Sequence, residues 1–158
     1  MVDKYMEISR LKAAFAGSIL LSFLGSVIFV ATRDLYLVLT GLSENAKLIE
    51  LNVYGLIIPL LCTGAFIYMS CGFVVGLKHG KKANMVWSAK TEKLLNRQMA
   101  VFAVIGLVFA IGMYKWLDSE FKSRGYIYCE GESSLSAMGR HEVYMKPVCD
   151  NAYYEANR

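Results

Sequence analysis

Four cysteines, two histidines and a cluster of loop serines are the side chains of this chain best suited to chemistry. Cys129 and Cys149 stand twenty residues apart in a polar C-terminal stretch, whereas Cys62 and Cys71 lie within a long apolar run. A thiol pair can exchange disulfides, bind a metal or close a loop. Exchange catalysts carry Cys-x-x-Cys, which this spacing is not. His141 with the two thiols makes three zinc donors without a metal-site spacing. Two cysteines closing a loop of about 20 residues on an oxidising side read as a structural disulfide, worth about 3 kcal/mol in the loop-entropy model. Cys62 and Cys71 read as small buried hydrophobes. Ser133, Ser134 and Ser136 lie near His141, but nothing in the sequence orients that histidine as a base. No Walker loop, Rossmann fingerprint or HExxH segment occurs. The expectation is a non-enzymatic chain with no catalytic residue, metal ligand or cofactor.

The elements that carry these residues are set by the apolar pattern. The chain has 158 residues, 56% of them hydrophobic and 19% charged, against about 25% charged in a soluble domain. The apolar excess sits in three blocks free of charge, about Ala13 to Ala31, Val53 to Leu77 and Met99 to Tyr114. That excludes a soluble enzyme, a disordered chain and a nucleic-acid-binding domain as the leading class. Roughly 20 apolar residues cross a hydrocarbon core of about 30 Å as a helix, the form that satisfies its own backbone in lipid. Block three reaches that length with Trp116 and Leu117, Trp being favoured at the interface. Lys4, Arg10 and Lys12 precede block one as they would a signal peptide. The run exceeds the usual h-region, however, and bulky Phe29 precedes Ala31, so an uncleaved anchor is expected. Pro59 falls near one end of the second span, where a late first turn is tolerable.

Lysine and arginine orient the spans. The N-terminal tail is basic, and the connection Thr32 to Asn52 has Arg33 and Lys47 against Asp34, Glu44 and Glu50. The next connection carries Lys78, Lys81, Lys82, Lys90, Lys93 and Arg97 against Glu92. The expected topology is N-terminus in and C-terminus out. The net charge of +4 thus reads as a topology signal that also attracts anionic lipid heads, at about 1 kcal/mol per basic residue, and not as a nucleic-acid patch.

No Asp, Glu, Lys, Arg or His lies in the three cores. Ion pathways and proton relays need such groups, and both His79 and His141 lie outside, which argues against membrane haem. The helices carry small residues instead. Ser18, Ser22 and Ser26 recur every four residues, flanked by Gly17 and Gly25, and Gly72/Gly76 and Gly106/Ala110 repeat the theme. Such faces let backbones approach. They pack the protein's own helices, or the serine stripe docks a partner's helix.

After Trp116 the composition changes. Residues 1–117 form the expected transmembrane domain and 118–158 a small outer one. GYIYC (125–129) and HEVYM (141–145) have strand character, with a Gly/Ser/acid stretch between them, and Pro147 should end the second strand. So small a piece needs a staple. The stretch Leu35 to Leu51 is expected to lie at the interface, re-enter or pack under the hairpin, and charges at Glu44, Lys47 and Glu50 argue against a fourth span. The fold class is therefore an all-α membrane protein: three transmembrane helices with a disulfide-stapled β-hairpin domain on the outer face.

The layout resembles an uncharacterised family of small inner-membrane proteins from enterobacteria and their relatives, on Gly125, Tyr126, Cys129 and then Cys149. It is also similar to membrane immunity proteins, which protect a bacterium from membrane-targeted toxins. The resemblance implies a bacterial inner-membrane protein that acts by binding. The expected function is immunity, with an accessory subunit of a larger membrane complex as the alternative. Membrane lipid and a protein partner are expected, and a homo-oligomer fits the same faces. The anchors expected for a partner are Ser18, Ser22 and Ser26 in the membrane and the exposed Tyr126, Tyr128, Arg140, His141 and Tyr144 on the hairpin, since aromatics and Arg dominate interface hot spots. The competing reading of these tyrosines is that they seat the hairpin on the bilayer surface.

Overall fold

The structure is a computed structural model describing residues 10–136, 139–150, 152 and 155. Its helices are α1 (Arg10–Ser43), α2 (Ile58–His79), a short α3 (Ala83–Val86) and α4 (Ala89–Ser123). Its strands are β1 (Leu48–Asn52), β2 (Ile127–Tyr128), β3 (Ser134–Ser136) and β4 (Gly139–Met145), with a 3-10 turn at Tyr54–Leu56. Helices α1, α2 and α4 are long and apolar enough to cross a membrane.

Two of them outrun the apolar blocks that announced them. α1 has 34 residues and α4 has 35, roughly 50 Å each at the α-helical rise. Hydropathy marks where lipid would end; backbone signals mark where the helix ends. Nothing between Ala31 and Leu42 breaks a helix, so α1 continues through the polar Thr32, Arg33 and Asp34. It stops where Asn45 takes a left-handed φ of 53°. The Ala46 N–H then bonds the Gly41 carbonyl at 2.8 Å and the Asn45 N–H the Leu42 carbonyl at 3.4 Å, the Schellman arrangement. α4 ends in the same way on Gly125 at φ 78°. There the Tyr126 N–H bonds the Phe121 carbonyl at 2.9 Å, and the two rings meet edge to face at 5.7 Å. Gly125 and Tyr126 thus belong to a helix cap, and the first strand of the expected hairpin shrinks to Ile127–Tyr128.

The chain forms two compact units. The first comprises residues 1–28 and 60–105. In it α1 and α2 run antiparallel: a Cβ on Gly17 would collide with the Phe73 ring, and one on Gly76 would lie 3.6 Å from the Ala13 methyl group. On the other side of α2, a Cβ on Gly64 would come within 2.8 Å of Phe102 on α4. Small residues therefore do pack the protein's own helices, through Gly17, Gly64 and Gly76. Ser18, Ser22 and Ser26 are exposed, and the Ser26 hydroxyl donates back to the Ser22 carbonyl at 2.9 Å. Ser88 caps α4, its hydroxyl accepting the Thr91 N–H at 3.2 Å.

The second unit comprises residues 29–59 and 106–158. The hairpin expected there is a four-stranded antiparallel sheet with β4 at its centre. β1 lies along one edge of β4, pairing Leu48 with Met145 through Asn52 with His141. β2 pairs at Ile127/Met145 and Tyr128/Tyr144, and β3 pairs at Ser134/His141 through Ser136/Gly139. The stretch Leu35 to Leu51 is thus the end of a helix, a cap and an edge strand. Period-two alternation splits the sheet into two faces. Ile49, Leu51 and Tyr144 join Val38, Leu42, Leu117, Phe121 and Tyr126 in one buried cluster, where Tyr144 stacks on Phe121 at 4.3 Å. Val143 and Met145 face the other way and pack with Cys129, Leu48 and Cys149. The Cys129–Cys149 disulfide is formed.

Two stability measurements follow. Cys149→Ser should cost about 3 kcal/mol through the freed loop. Gly125→Ala should cost about 1–2 kcal/mol, because a Cβ is strained at a left-handed φ; both are read from thermal unfolding in detergent.

Candidate functional site

β4 reads Gly-Arg-His-Glu-Val-Tyr-Met, and its alternation puts Arg140, Glu142 and Tyr144 on the helix-facing side. Glu142 is 1% exposed. A carboxylate in such a position must be paired and fully hydrogen-bonded. Its Oε1 accepts the Tyr114 hydroxyl at 3.0 Å and meets Arg140 Nη2 at 2.7 Å, while its Oε2 accepts the Tyr144 hydroxyl at 2.9 Å. Sequence reasoning missed Glu142 and Tyr114. The available signal was a lone acid alternating with Tyr144 and Arg140 in a strand pattern.

This network corrects the list of expected anchors. Tyr144 is 4% exposed and Tyr126 5%, so neither reaches a partner or a bilayer surface. Tyr126 donates its hydroxyl to the Ala46 carbonyl at 2.7 Å, and Lys146 sits 4.3 Å from its ring centre. Both belong to the expected anchors because aromatics dominate interface hot spots; the register of β4 and the cap of α4 turn them inward. Burial, followed by the hydrogen bond to Glu142, pushes the Tyr144 hydroxyl up well beyond the ordinary tyrosine range, and burial raises Tyr126.

The remaining anchors gather at one rim. Tyr128 is exposed, the Arg140 side chain is half-exposed, and His141 is partly buried. These three line a cleft of about 270 Å³ with Glu130, Ser133 and Ser134. His141 also borders a second cleft, of about 280 Å³, with Asp34, Glu50 and Asn52. Arg140 is fixed from below by Glu142, whose charge raises the guanidinium still further. The Ser133 hydroxyl donates to the Cys129 carbonyl at 2.8 Å and accepts the Val143 N–H at 3.0 Å. It bridges strand and loop. Such a surface, with a phenol, a held guanidinium and an imidazole on a stapled sheet, can dock a partner's acidic and apolar groups.

A family model matches residues 49–149. The chain belongs to the family described as protein of unknown function (DUF1240). No curated protein and no solved structure matches it. The DUF1240 match begins in β1 and ends on the second half-cystine. It therefore takes in the Glu142 network, the rim residues and both cysteines, whereas Ser18, Ser22 and Ser26 precede it.

Glu142→Ala would leave the buried Tyr144 hydroxyl and the part-buried Tyr114 hydroxyl without an acceptor and remove the counter-charge of Arg140, a loss of roughly 3 kcal/mol. The folded unit also keeps tyrosine protons that the unfolded chain releases near pH 10. Its stability is therefore complete below about pH 10 and falls as the pH rises beyond it. Tyr144→Phe should cost about 1 kcal/mol at neutral pH and flatten that alkaline decline, followed by unfolding and tyrosinate absorbance together.

Proposed function

We propose that this chain is a non-enzymatic, three-span protein of the bacterial inner membrane that neutralises a membrane-targeted toxin by binding it. Its N-terminus is cytoplasmic and its sheet unit periplasmic. The orientation is supported by Lys78, Lys81, Lys82, Lys90, Lys93 and Arg97 between the second and third spans. The Cys129–Cys149 disulfide suits an oxidising compartment at the other end. The observation that carries the binding role is the rim. Tyr128, Arg140 and His141 stand on a sheet held by a staple and by the ion pair of Arg140 with the buried Glu142, so little ordering cost opposes association.

An accessory subunit of a larger membrane complex is the second reading. It is favoured by the exposed Ser18, Ser22 and Ser26 face, which the internal packing leaves open to another helix.

Tagged protein is purified gently from ordinary cells and from cells that also express a membrane-targeted toxin. Capture of that toxin alone, weakened by at least about tenfold in Tyr128→Ala, supports immunity. A stoichiometric resident partner in ordinary cells overturns immunity in favour of the subunit. Orientation is read in a background lacking Cys62 and Cys71. Glu44→Cys should react with an impermeant maleimide in cells with a permeabilised outer membrane, and Lys82→Cys after lysis alone.

A further inference from the structure

The first unit contains an apolar groove of about 480 Å³ between α1 and α2. Leu20 and Leu21 line it from α1, and Phe73 from α2. Because the helices run antiparallel, Lys12 near the start of α1 and Lys81 and Lys82 just after α2 meet at one end. The turn that brings the latter two back is made by Gly80, whose N–H closes the helix on the Gly76 carbonyl at 2.9 Å and whose φ of 64° then turns the chain away. Trp87 borders the same groove and is held edge-on by Tyr68 at 5.5 Å. No carboxylate appears among the described residues that line it.

We infer that this groove binds an anionic phospholipid, with its phosphate among Lys12, Lys81 and Lys82 and one acyl chain along Leu20, Leu21 and Phe73. The inference rests on the bilayer insertion proposed above and is independent of the immunity role. Three arguments converge on this occupant. The charges are complementary: three lysines at one end of an apolar slot match a phosphate above a hydrocarbon chain, and basic pockets between spans on the cytoplasmic side take anionic head groups. Lys12 to Leu21 covers about 14 Å of helix, about half of a hydrocarbon core near 30 Å, which is the depth of one leaflet. The Trp87 indole meanwhile marks the head-group level, where its ring is favoured.

The test is native mass spectrometry of the full chain in detergent, with phosphatidylglycerol and phosphatidylcholine of identical acyl chains. The expected result is retained phosphatidylglycerol, bound at least about tenfold more tightly than phosphatidylcholine. The combined Lys12→Gln, Lys81→Gln and Lys82→Gln variant should lose that preference. Ala16→Trp, which fills the groove and leaves every lysine in place, should lose binding of both lipids. Removing equal charge elsewhere, by Lys90→Gln, Lys93→Gln and Arg97→Gln, should change nothing. Equal losses in that last variant, an unaffected Ala16→Trp, or no preference in the parent chain would each overturn the groove site. Alkaline extraction of membranes separates the two ideas. A chain that stays in the pellet without preferring phosphatidylglycerol refutes the groove alone, whereas release into the supernatant refutes insertion and the groove with it.

Discussion

Two helix ends in the sheet unit are tied to each other, and the rest of that unit hangs from the tie. A helix terminus leaves carbonyls without partners. In α1 the Leu42 carbonyl receives Arg124 Nη1 at 2.7 Å, and just past its end the Ala46 carbonyl receives the Tyr126 hydroxyl at 2.7 Å. Both donors come from the cap of α4. The cap of α4 thus finishes the hydrogen bonding of α1, and the two exits are held where β1 and β2 must start. Lys146 strengthens the same corner, its N–H bonding the Lys47 carbonyl at 3.0 Å. Without this tie β4 would have no fixed edges to enter.

From that corner β4 works as a divider with different chemistry on each face. Toward the helices it shows Glu142 and Tyr144, so the core there is aromatic with one polar network at its centre. Away from them it shows Val143 and Met145, and the disulfide closes over these. The polar network gives direction to an otherwise adaptable apolar contact. A slip of one residue would bury Arg140's neighbours in place of Glu142 and strand the Tyr114 hydroxyl. The rim inherits this precision, since Arg140 is held by the same carboxylate that fixes the register.

What was legible in the sequence divides along physical lines. The three apolar helices and the Cys129–Cys149 pair were readable, because long apolar runs and a bracketed polar loop admit few other structures. Helix ends were not, because Ala31 ends the lipid-like composition and Asn45 ends the helix, and hydropathy reports the first alone. β1 was hidden by its length: Ile49, Glu50 and Leu51 alternate correctly, but five residues beside a helical apolar stretch look like its continuation. Tyr126 and Tyr144 were placed outside because a tyrosine's polar tip suits either a surface or a buried acceptor. Which it finds depends on Ala46 and Glu142, distant in the chain.

The pairing of β1 with β4 joins Leu48 to Met145, and the two long apolar helices α2 and α4 separate them in the chain. This fixes an order of assembly during synthesis. In the proposed topology β1 emerges early and waits with an unpaired edge while α2 and α4 are made and inserted. Its partner is made only after both helices, so the sheet closes once α2 and α4 are in place. A chain stalled or clipped before Met145 presents an open strand edge, the feature by which proteases and chaperones recognise unfinished protein. Completion of the sheet is therefore a built-in report that α2 and α4 have been threaded correctly.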